Sequence, residues 1–108
     1  ERFMKRGLKT MQQPKEIKIE LDPQAGEGKY ANLVITSHSD CEFILDFAKF
    51  LPGLPAAKVH SRVIMTPKHT KLLLRSLEQN IGTFESKFGE IEIPAGEGFA
   101  VHNGETIH

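Results

Sequence analysis

His38, Asp40 and Cys41 fall close together in the chain. Such residues hold metals, and a Cys–His pair can supply a nucleophile with its base. The spacing suits neither chemistry. A structural zinc site draws on four ligands at short CxxC or HxxxH intervals, which this segment lacks, and His60, His69 and His102 would have to converge on it from elsewhere. Cys41 is better explained as a small apolar residue opening a strand. Asp46 is a stronger candidate. It lies between Leu45 and Phe47 in an apolar segment, where a carboxylate needs a partner, and Arg62 is the partner expected from the neighbouring strand. Catalysis needs an acid, a base and stabilising groups converging in one pocket, and a lone Asp–Arg pair is not that set. No catalytic residue, metal or cofactor is therefore expected, and the chain reads as non-enzymatic. Lys58, Lys68, Lys71 and Arg75, with Arg62, form a basic group around a strand–helix junction. It would suit phosphate contacts, but it has no stacking aromatics, and a solvated helix face is the commoner explanation. The glycines of Ala25-Gly26-Glu27-Gly28 lack a GxGxxG or Walker context and read as a turn.

The elements that must position these residues follow from pattern. At 108 residues the chain supports one domain. Lys+Arg and Asp+Glu each number 14, so overall basicity gives no argument for nucleic acid. The single cysteine cannot form an internal disulfide, which favours a reducing, cytoplasmic setting. No apolar run approaches the ~20 residues of a membrane span, and the basic start has no apolar core of the kind a secretory leader needs. Residues 1–14 read as a basic, flexible arm, 15–91 as the domain, and 92–108 as a partly ordered or loosely packed tail.

Ile17, Ile19 and Leu21 alternate with charged residues, the period of a half-buried strand. Further strands are expected at Tyr30–Thr36, Cys41–Leu51 and Lys58–Met65, with a helix over Phe43–Phe50 as the rival for the third segment. Thr66-Pro67 reads as a helix cap followed by a proline that fits the first turn. From there Leu73, Leu74, Leu77, Ile81, Phe84 and Phe88 recur at helical spacing up to Gly89, a natural terminator. His69 would sit on the first turn of this helix. The expected fold class is α+β: a four-stranded antiparallel meander covered on one face by the helix at about 67–88.

Strand parity proposes registers. Centring the first hairpin near residue 39 pairs Ile35 with Phe43 and Leu33 with Leu45. Centring the second near residue 54 pairs Phe43 with Met65, Leu45 with Val63 and Phe47 with Ser61. The helix would cover this odd-numbered apolar face. The opposite face would carry three rows: Val34, Ile44 and Ile64; Asn32, Asp46 and Arg62; Tyr30, Ala48 and His60. An apolar row beside an ion pair suits a partner or ligand surface, so Tyr30, Asn32, Val34, Ile44, Asp46, His60, Arg62 and Ile64 are its candidate residues.

Tyr30-Ala31-Asn32, His38-Ser39, Glu42-Phe43, Leu45-Asp46-Phe47, Pro52-Gly53, Ser61-Arg62, Met65-Thr66-Pro67, His69, Asn80 and Phe84-Glu85 through Phe88-Gly89 occur in an order and spacing that resembles a small prokaryotic family, domain of unknown function 3467. The resemblance covers about residues 16–91. It implies a short soluble bacterial or archaeal protein with no established activity, and it supplies no catalytic residue. Strands followed by a packed helix are also broadly similar to SecB-type export chaperones, by fold-level analogy only. The function expected first is a homo-oligomeric binding or adaptor protein, dimeric by preference. A nucleic-acid-associated protein using the arm and residues 58–75, and a SecB-like chaperone holding unfolded chains, are the alternatives.

Overall fold

The computed structural model of the chain describes residues 16–99 and 101–102. The arm at 1–14 and the last part of the tail lie outside that range. The elements are α1 (Pro23–Gly26), β1 (Leu33–His38), β2 (Phe43–Lys49), β3 (Lys58–Met65), α2 (Pro67–Phe88) and β4 (Val101–His102). The fold is α+β. Its centre is an antiparallel sheet of β1, β2 and β3, followed by the helix α2.

β3 and α2 fall where their residues predict. Thr66 Oγ1 accepts the His69 amide at 3.2 Å and also bonds His69 Nδ1 at 3.0 Å, so His69 touches the cap. Pro67 occupies the first turn, where its missing N–H leaves nothing unpaired. At the other end Gly89 has φ 101° and its amide reaches the Glu85 carbonyl, a conformation that a Cβ disfavours.

The meander is corrected in two respects. Residues 17–21 form no strand, and Ile17, Ile19 and Leu21 are exposed. Alternation alone does not make a strand: this segment pairs with neither edge of the sheet, and beside β1 it is β4 that pairs, at Thr36 and Ser37. That two-residue strand comes from the tail and runs parallel to β1, giving the order β3-β2-β1-β4. Between β3 and β4 the chain thus passes from one edge of the sheet to the other.

The first hairpin also differs from its expected register. It is closed by a four-residue loop, Ser39–Glu42: His38 lies opposite Phe43, and the Ser39 amide bonds the Glu42 carbonyl at 3.0 Å. The His38 and Phe43 rings stack across this closing pair, with centroids 5.3 Å apart. Val34 then lies opposite Phe47, Ile35 opposite Asp46 and Ser37 opposite Ile44. The shift is an odd number of residues, so every β1 side chain changes face. Leu33-Val34-Ile35 is apolar at both parities, so the turn, not the apolar pattern, sets the register. Val34 therefore leaves the row with Ile44 and Ile64, and Asn32 leaves the row with Asp46 and Arg62.

The second hairpin keeps its register through Phe43–Met65, Leu45–Val63, Asp46–Arg62 and Phe47–Ser61. It slips at a bulge, beyond which Ala48 lies opposite Val59 and Lys49 opposite Lys58, leaving His60 as the extra residue. The buried core is small: Ile44, Leu45 and Ala48, with Ser37 and Asp46 beside them, all on β1 and β2.

The expected cover over the odd-numbered face is not formed by α2. The helix has no buried residue and packs broadly against none of the strands among the described residues. Leu74, Leu77, Ile81, Phe84 and Phe88 are all exposed. An amphipathic stripe requires burial against something, but the pattern does not say that the surface must belong to the same chain.

Candidate binding surfaces

The Asp46–Arg62 pair joins β2 to β3. Arg62 Nε donates to Asp46 Oδ1 at 2.7 Å and Nη2 donates to Oδ2 at 2.9 Å, a bidentate fork. Asp46 is fully buried, while the Arg62 side chain remains 34% exposed. The hydrogen bond to Asp46 raises the Arg62 guanidinium above its ordinary pKa, with desolvation opposing and Coulomb attraction assisting. Asp46 lies behind the sheet surface, and Arg62 presents the exposed side of the pair.

Tyr30, Asn32 and His60 come together at the far end of β3. The bulge frees His60 from the ladder, and its ring bonds the Tyr30 carbonyl through Nε2 and the Ser61 hydroxyl through Nδ1, each at 3.0 Å. Asn32 extends the β1–β2 ladder with its side chain. Nδ2 donates to the Phe50 carbonyl at 2.9 Å, Oδ1 accepts the Phe50 amide at 2.8 Å, and the Asn32 amide reaches the Ala48 carbonyl. One amide side chain thus replaces a backbone rung. Ile44 is buried and Ile64 is exposed.

A cleft of about 530 Å³ opens beside this cluster, lined by Lys29, Tyr30, Lys49, Leu51, Leu54 and Lys58, with His60 in its wall. Reading the chain as isolated strands missed Lys29, Lys49, Leu51 and Leu54. The juxtaposition of Lys49 and Lys58 appears only once the bulge has reset their register.

The proposed phosphate contacts do not form one patch. Lys58 begins β3 and α2 follows its end, so at ~3.3 Å per residue Lys58 stands about 23 Å from the junction. Lys68, Lys71 and Arg75 lie along α2. His38, Asp40 and Cys41 build no metal centre, and no cluster of three or more metal-ligating residues occurs among the described residues. Cys41 is exposed at the hairpin tip, with Sγ 3.6 Å from Ser39 Oγ. No helix among the described residues is long and apolar enough to cross a membrane.

The remaining surface is the stripe on α2. Leu74, Leu77, Ile81, Phe84 and Phe88 recur at intervals of three, four, three and four, the a/d repeat of a helix that packs against another helix. The Phe84 and Phe88 rings lie tilted against each other at 48°, with centroids 5.0 Å apart. Beside the helix end, the Ile91 amide bonds Glu85 Oε2, tying the start of the tail to the last turn.

Comparison with known proteins finds one family, described as "Protein of unknown function (DUF3467)", whose pattern matches residues 4–93. No curated protein and no solved structure matches the chain. The matched span begins within the basic arm and takes in the hairpins, the cluster around His60 and all of α2. The chain belongs to the DUF3467 family.

Proposed function

We propose that this chain is a non-enzymatic binding protein that works as a homodimer joined along α2. The observation that carries the reading is the exposed three-four repeat from Leu74 to Phe88 on a helix that buries nothing against its own sheet. The helix has 22 residues, or about 33 Å, and its apolar seam needs a partner of matching period. A second copy of α2 has that period by identity, and a twofold pairing closes without leaving a free seam. The lid that the sheet does not receive from its own helix then belongs to the assembly. The edge of β3 supports the same reading. It has no neighbour among the described residues and carries exposed Val59, Val63 and Ile64, a surface that invites pairing unless something covers it.

The test is mass in solution. Sedimentation equilibrium at about 100 μM, where even a dissociation constant of a few micromolar leaves most chains paired, is expected to give twice the chain mass. A strict monomer there overturns the proposal. A second reading, a chaperone-like protein holding unfolded chains, draws on the same exposed stripe. The two part on competition: a dimer seam excludes a reduced, unfolded polypeptide, whereas a holding surface binds it while the mass per assembly rises.

A further inference from the structure

We propose that the cleft at the open end of β2 and β3 binds a small organic anion with an apolar body. Lys49 and Lys58 lie directly opposite each other across the two strands, and both line the cleft together with Lys29. Like charges placed opposite across a ladder oppose its pairing. Among the described residues no carboxylate lines the cleft, and the only ion pair is Arg62 with Asp46, elsewhere on the sheet. The described residues thus supply no counter-charge there, and an anion seated between the lysines relieves the repulsion.

Apart from His60, the rest of the lining is mostly apolar. Leu51, Leu54, Ala56 and Tyr30 line the cleft, so the ligand carries hydrocarbon as well as charge. The volume, about 530 Å³, lies within the ~300–1,000 Å³ of small-molecule sites. The walls are held in place: His60 pins the backbone at Tyr30 to β3, and Asn32 pins the chain at Phe50, next to Leu51. The site is independent of the α2 seam, since Lys58 begins β3 and the helix follows its other end.

The probe is octanoate, titrated into the full-length ¹⁵N-labelled chain at neutral pH, with octan-1-ol and inorganic phosphate as the separated halves of its chemistry. Octanoate is expected to give saturable amide shifts at Tyr30, Lys49, Leu51 and Leu54, and each half alone to bind at least about tenfold more weakly, a difference of one decade in dissociation constant. Lys49→Glu is expected to abolish octanoate binding while raising the melting temperature, because it replaces a repelling cross-strand pair with an attracting one. Leu54→Gln, at an exposed position, is expected to weaken octanoate and leave phosphate unchanged. The proposal is overturned if octanoate does not saturate, if octan-1-ol or phosphate alone binds as tightly, or if Lys49→Glu binds octanoate like the parent.

Discussion

Replacing Leu77 and Ile81 by Gln is the perturbation that reports most directly on the α2 seam. Both side chains are about half covered in the single chain, at 49% and 45% exposure. Full burial of a Leu or Ile contributes ~1.5–3 kcal/mol relative to exposure, so covering the remaining half contributes about 0.7–1.5 kcal/mol each. A twofold interface contains both residues twice, which brings the loss to about 3–6 kcal/mol for four side chains. With ~1.4 kcal/mol per decade, the double variant weakens the dimer by about two to four orders of magnitude. Gln is a good helix former, so α2 itself is retained. Sedimentation velocity over a dilution series reads the dissociation constant, and far-ultraviolet circular dichroism reads the helix. If the helix signal persists and the dissociation constant moves by less than about threefold, less than 1 kcal/mol of association energy, the seam is not where the copies meet.

Two single sites and one ion pair give three further outcomes. Ser37 is buried, and its hydroxyl has no hydrogen-bond partner among the described residues; Ser37→Ala should stabilise the fold by about 1 kcal/mol in urea melts, since an unpaired buried hydroxyl costs ~1–3 kcal/mol, and a loss of stability would show that the hydroxyl is satisfied. Thr66→Ala removes the acceptor for the His69 amide and should cost about 1 kcal/mol of stability, with an unchanged urea midpoint as the contrary result. The raised pKa of Arg62 means that its contribution is fully present below the ordinary guanidinium range and is lost only as pH climbs through the still higher folded value. The stability difference between the parent and the double variant Asp46→Asn/Arg62→Met should therefore stay flat from about pH 7 to 10; a difference that fades across that window would refute the assignment.

How much was legible in the chain depended on whether the signal was local. The helix at 67–88 was readable to the residue because cap, proline, stripe and terminal glycine all act within one or two turns. Lys58–Met65 and the Asp46–Arg62 pairing were readable because Phe43, Leu45, Val63 and Met65 share one parity and leave little choice. Leu33-Val34-Ile35 offers apolar side chains to both faces, and there the four residues of the hairpin loop decided the register. The strand expected at Ile17–Leu21 has the right alternation, but a strand also needs a backbone partner, and beside β1 that place goes to a tail some eighty residues later. The basic cleft was hidden for the same reason. Lys49 and Lys58 meet only after a one-residue bulge at His60, and no periodicity announces a bulge. The helix stripe is apolar as its spacing predicts but does not cover the chain's own sheet, because amphipathicity specifies that a face must be covered and is silent about the molecule that covers it.

Cys41 is the sole thiol of the sequence and sits exposed at the outer tip of the first hairpin. A spin label or fluorophore attached there marks each molecule once, on a turn that contributes to neither the α2 stripe nor the lysine cleft. Paired labels would act as a ruler between copies: the dipolar coupling gives the distance between the two hairpin tips without introducing or deleting a single residue.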